Sequence, residues 1–71
     1  MQCSVCGAEA ENITSGDFDG LVVRCKHCGE YEVSDAALND LLRLDFEARV
    51  AALEAAKRAA RPDARPAIAL R

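Results

Sequence analysis

Cys3-Ser4-Val5-Cys6-Gly7 returns, after the eighteen residues that follow Cys6, as Cys25-Lys26-His27-Cys28-Gly29. The chain has four cysteines and all of them lie in these two pentapeptides, giving the spacing C-x₂-C-x₁₈-C-x₂-C. Two thiolates three positions apart on a tight turn grip one face of a tetrahedral ion at ~2.3 Å. A glycine directly after the second cysteine relieves the steric cost of the positive φ that such a turn needs. Eighteen intervening residues suffice for a hairpin that brings the second pair back to the first. The spacing therefore marks Cys3, Cys6, Cys25 and Cys28 as the ligands of one structural Zn²⁺. Four sulfurs complete the tetrahedron and leave no open position for a reactive water, which argues against catalytic zinc.

The rest of the composition explains why such a staple is needed. Seventy-one residues make one small domain, and a chain this short buries only about 60% of the surface its unfolded form exposes. The aromatic residues are Phe18, Tyr31 and Phe46, and much of the apolar content is alanine. Domains below ~70–80 residues usually rely on disulfides, a metal or a partner chain. Zinc binding contributes ~10–16 kcal/mol to the folding of small peptides at neutral pH, so the metal-free head is expected to be unfolded or loose. Met1-Gln2 leads into Cys3 without a basic or apolar leader, and no apolar run approaches the ~18 residues that cross a bilayer. The expected compartment is the reducing cytoplasm, where paired cysteines signal metal more often than disulfides, and no membrane partner is expected.

Working outward from the cysteines, residues 1–33 read as a three-stranded zinc ribbon. Glu11–Thr14 and Leu21–Arg24 are strand candidates, joined by the turn chemistry of Ser15-Gly16-Asp17-Phe18-Asp19-Gly20. Glu30-Tyr31-Glu32-Val33 alternates polar and apolar, as a half-buried strand does. Ser34 is placed to cap a helix, with Asp35 favourable in its first turn. Residues 34–61 form an amphipathic helical segment packed on the ribbon or extending from it. Leu38, Leu42, Phe46, Val50 and Leu53 recur at steps of four, four, four and three as a core stripe, with Leu41 at its edge. A single helix from Asp35 to Ala60 would be about 39 Å long; the alternative is a helical hairpin, broken where Asp45 caps a second helix. Residues 62–71, with Pro62 and Pro66, read as an irregular tail ordered only by contact through Pro66 and Ile68. The expected fold class is α+β.

With those residues in view, residues 1–33 resemble a zinc ribbon of the rubredoxin-knuckle type. The combination of Cys-x-x-Cys-Gly, the Asp17-Phe18-Asp19-Gly20 turn, Cys-x-x-Cys-Gly-x-Tyr, then Ser34 and a helix resembles small uncharacterised bacterial zinc-ribbon proteins. The likeness covers about the first forty residues and implies the same four ligands, Cys3, Cys6, Cys25 and Cys28; it is nearly silent about function. Rubredoxins, whose iron centres have similar knuckles, resemble one another in a longer intervening segment and a richer aromatic core, both missing here. Nothing points to export and a disulfide framework, and no βαβ pattern surrounds either pair as in a redox C-x-x-C motif.

Other residues read as structural. His27 is an exposed knuckle side chain. Asp17-Phe18-Asp19-Gly20 fails as a calcium loop, since Val22 and Cys28 stand where Gly and Glu are needed. Phe18 folds back over the core, and Tyr31 packs beneath the helix with its hydroxyl on water or a backbone partner. Net charge is −3. The head holds Arg24 and Lys26 against Glu9, Glu11, Asp17, Asp19, Glu30 and Glu32, whereas residues 48–71 hold Arg49, Lys57, Arg58, Arg61, Arg65 and Arg71 against Glu54 and Asp63. Lys57, Arg58 and Arg61 suit a helix C-terminus. No enzyme is expected: the carboxylates are scattered and the sole histidine lies in a knuckle. The expectation is a protein-interaction or assembly module whose Leu/Ala helix face meets a partner or, through residues 46–60, a second copy in a homodimer. The alternative is a nucleic-acid-binding regulator using the ribbon hairpin and the basic arm, which the acidic pI near 5.0 disfavours.

Overall fold

Strands form where the sequence alternates and end where side chains compete for the backbone. In the computed structural model, which describes residues 1–70, β1 spans Ala10–Asn12, β2 Gly20–Cys25 and β3 Gly29–Ser34. All three ribbon strands appear within a residue or two of their expected positions. One ladder bond persists past β1, from the Ile13 N–H to the Val22 carbonyl at 2.9 Å, and then the Asn12 side-chain oxygen accepts from the Thr14 backbone N–H (3.0 Å) and hydroxyl (2.6 Å), a local turn that ends the pairing. The Thr14 hydroxyl oxygen then accepts from the Val22 N–H at 2.8 Å, so the neighbouring strand loses no partner. Pairing is antiparallel, with Ala10 opposite Cys25 and Cys25 opposite Gly29. Phe18, half-buried, lies beside Gly20 and outside the core cluster it was expected to cover; a Cβ at Gly20 would collide with the Val33 carbonyl oxygen.

The sheet has four strands, not three. β4, Ala67–Ile68, comes from the stretch expected to be an irregular tail and runs parallel to β3, with Val33 opposite Ile68, giving the order β1-β2-β3-β4. The Glu32 N–H donates to the Pro66 carbonyl at 2.9 Å, and Ile68 is buried. So Pro66 and Ile68 do anchor this segment, as ladder members. Arg71, counted with the basic arm, lies outside the described residues. A parallel partner requires a crossover of a dozen or more residues, and the helices supply it.

α1, Asp35–Leu41, and α2, Phe46–Ala59, replace the single long helix, which would not fit a molecule measuring 28 × 26 × 24 Å. Both caps lie where the sequence put them. The Ser34 hydroxyl accepts from the Ala37 N–H (3.2 Å), and the Asp45 carboxylate accepts from the Ala48 N–H (2.9 Å). Nor do the helices zip along each other as a hairpin: α1 packs on β2 and β3, and α2 on β4. The Arg49 guanidinium ties the corner, donating to the Leu41 and Leu42 carbonyls at 3.2 and 3.0 Å.

The break corrects the expected stripe. Leu41, placed at its edge, is fully buried, whereas Leu42 and Phe46 are 52% and 59% exposed. Non-helical residues 42–45 reset the rotation, so a period counted across them assigns the wrong face. Val50 and Leu53 do pack inward. The core gathers Val5, Val23, Tyr31, Val33 and Leu41, all fully buried, with Leu53, Ala56 and Ile68 closing the far side.

Candidate metal centre

Each cysteine pair sits on a tight turn closed by its own hairpin. In the first knuckle the Gly7 N–H donates to the Cys3 carbonyl at 2.9 Å. The Cys3 N–H donates to Ala8 O at 2.7 Å, and Ala10 N–H to Met1 O at 2.8 Å. The second knuckle is the loop between β2 and β3, closed by the Cys25–Gly29 pair. Gly7 and Gly29 have φ of 78° and 79°, and no other described residue has positive φ. That left-handed region is the one glycine enters without a Cβ penalty. Because Ala10 pairs with Cys25, the sheet itself fixes the separation of the two turns.

The four sulfurs converge. Cys6 Sγ lies 3.6 Å from Cys25 Sγ, and Cys3 Sγ lies 3.9 Å from Cys28 Sγ. All four ligand atoms fall within 4.8 Å of one another. A tetrahedron with ~2.3 Å metal–sulfur bonds has edges of about 3.8 Å, so the cluster has the size of a four-thiolate metal site. The spacings are far beyond the about 2.05 Å of a disulfide, and all four thiols are free. The four cysteines are thus positioned to bind one metal ion. Cys3, Cys25 and Cys28 are buried and Cys6 half-buried, so the cluster is least covered at Cys6. His27, exposed in its knuckle, is not among the clustered groups.

The sulfurs are not equivalent. Burial pushes the Cys3 thiol up, but bonds from the Cys6 backbone, the Tyr31 hydroxyl and the Val5 backbone outweigh it and bring the thiol down to about 7 from 9.0. Cys28 is raised, first by burial and then by its bonds and charge interactions with Cys6 and Cys3. Cys6 is raised as well, chiefly by burial.

Tyr31 is a part of the site whose role the sequence reading missed. It is fully buried, with its hydroxyl oxygen 3.3 Å from Cys3 Sγ and 3.1 Å from the Ser4 backbone nitrogen. The backbone partner was expected; the sulfur was not. Strand parity held the signal: in the β2–β3 register Val23 faces Tyr31 two rows from the Cys25–Gly29 pair, so Tyr31 shares the face of Cys25. No protein-family model, curated protein or solved structure matches the chain, so the reading of this site rests on its geometry.

Proposed function

We propose that the protein is a non-enzymatic zinc-binding module. A structural Zn(Cys)₄ centre on Cys3, Cys6, Cys25 and Cys28 fixes its head, and its helices meet another protein. The single observation carrying the first part is the sulfur cluster, with its 3.6 and 3.9 Å edges. A set of four thiolates in a tetrahedron selects Zn or iron–sulfur chemistry over harder ions. The likeness of residues 1–33 to zinc ribbons favours zinc. When bound, the ion supplies folding energy and cross-links the two knuckles; with all four positions taken by sulfur it offers no site to a substrate.

The interaction role rests on the corner between the helices. Leu42 and Phe46 are large, apolar, exposed and four residues apart. Leu53 and Ala56, by contrast, are buried within the chain's own core. The contact face in our reading is therefore the Leu42–Phe46 corner continuing along the outer, alanine-bearing side of α2, within and beside residues 46–60. A second copy is the partner proposed.

Native mass spectrometry joined to elemental analysis tests both parts. One zinc per chain and a dimer are expected. Iron at the site, or no bound metal, removes the zinc reading; a monomer at every concentration removes self-association. Leu42→Ser with Phe46→Ser is expected to leave the zinc content unchanged and abolish the dimer.

A further inference from the structure

Tyr31 stands on β3, between the second knuckle and the helices, yet its hydroxyl touches only the first knuckle. The Ser4 N–H is a donor with no alternative role, so the hydroxyl oxygen accepts from it. The hydroxyl has one proton, which is left for Cys3 Sγ. A metal-bound Cys3 is a thiolate and has no proton to give, so in the loaded site the bond runs from Tyr31 to sulfur. Such charge-assisted bonds are the stronger kind. Among the described residues, Tyr31 supplies the only non-cysteine side chain bonded to any of the four sulfurs.

The geometry points to Tyr31 as the positioning residue of the metal centre: one buried hydroxyl holds the Cys3 sulfur and the Ser4 amide together, setting the first knuckle against the sheet and retaining the ion. This rests on the zinc reading above and adds a residue to it. The need is physical. Knuckle one is closed on itself by the Gln2–Glu9 bridge and the Cys3–Ala8 bond, and reaches β1 through the Ala10–Met1 bond. Those bonds fix its base. The tip, where Ser4 and Val5 lie, is held by Tyr31 and by the packing of Val5. Partners that orient a metal's ligands typically change its affinity by about 10–100-fold when removed.

The test compares wild type with Tyr31→Phe, which keeps the ring and removes the hydroxyl. Cobalt replaces zinc as the probe, since its bands report the bonding of each thiolate. Wild type is expected to show a tetrahedral four-thiolate spectrum. Failure of that spectrum overturns the zinc reading, and this inference with it. If wild type passes, Tyr31→Phe is expected to shift the sulfur-to-cobalt charge-transfer band and to lose zinc to a chelator about tenfold faster. An unchanged band and release rate in the variant overturn the role of Tyr31 and leave the zinc reading intact. Val33→Ala, which weakens the same core without touching a sulfur, is the control and is expected to leave the band in place; a shift as large as that of Tyr31→Phe would reduce Tyr31 to packing. The wild type alone gives a second readout that does not depend on the variant's folding. With ¹¹³Cd in the site, the Tyr31 hydroxyl proton is expected to be slow to exchange and scalar-coupled to the metal through Cys3 Sγ. A fast-exchanging, uncoupled hydroxyl overturns the proposal.

Discussion

Gly7 and Gly29 occupy the same left-handed conformation at the same place in each knuckle, and around both an added Cβ would meet open space. A substitution there isolates backbone strain from steric clash. Gly7→Ala or Gly29→Ala is expected to cost about 1–2 kcal/mol each, read as a lower midpoint in chemical denaturation of the zinc-loaded protein. No loss at either position would show that the knuckle does not need this φ. The sulfurs give a second prediction at this scale. In the folded arrangement the Cys3 thiol lies near 7 against an ordinary 9.0. Without metal, that depressed pKa contributes stability that is full above about 9 and is lost as pH falls through about 7. Cys28 is raised by burial and by its cysteine neighbours, so it takes a proton back before Cys3 does. Protons compete with the metal for all four sulfurs, and zinc is therefore expected to leave on acidification. A chelating dye followed from about pH 8 down to about pH 4 checks this; metal release on raising the pH instead would contradict it.

Among the elements, the corner at residues 42–45 has the most consequence. It turns Leu41 into the core and Leu42 out of it. Leu41→Ala is expected to cost about 2–5 kcal/mol, and Leu42→Ala to stay within about 0.5 kcal/mol, both by urea denaturation of the metal-loaded protein diluted until it is monomeric, so that a lost subunit contact does not enter. Equal costs would restore the continuous stripe. The same corner separates what was legible in the sequence from what was not. Ser34 and Asp45 cap helices through bonds to their own neighbours three residues on, so local chemistry was enough to find both. The cysteine pairs were legible for the same reason, since each is a single turn with its glycine. The face of Leu41 was not: it depends on how far the chain rotates through a non-helical link, and a 3.6-residue count carries no information across one. β4 was hidden for a different reason. Two residues between Pro66 and Ala69 have no period to detect, and their pairing with Glu32 and Val33 exists only once the helices have brought them back. The Arg49 bonds to the Leu41 and Leu42 carbonyls were invisible for the same cause, because a long polar side chain on a helix reads as solvated.

Taken whole, the molecule closes on itself from both ends. The cysteines join the first knuckle to the β2–β3 loop, and β4 with α2 seals the other side of the sheet. Val5, Val23 and Tyr31 lie in the same buried cluster as Cys3, Cys25 and Cys28, and that cluster continues to Leu41 and Leu53. On the proposed zinc centre, loss of the metal is therefore not confined to the head. A strong chelator is expected to unfold the chain cooperatively, with loss of amide dispersion and of most helical signal by circular dichroism. A contribution of ~10–16 kcal/mol from zinc exceeds the whole stability of most domains this size. A helical signal that survives chelation unchanged would show that α1 and α2 stand without the ribbon.

The closure by β4 also leaves the sheet with unusual margins. One border is a two-residue strand entered through Pro66, which has no N–H to offer; the other is β1, three residues long and ended by Asn12. Long flat borders of unsatisfied backbone groups are what recruit foreign chains into fibrils, and proline or brevity blunts them. Through these borders the protein is a poor template for amyloid, and strand addition is not the route by which the partner proposed above would dock.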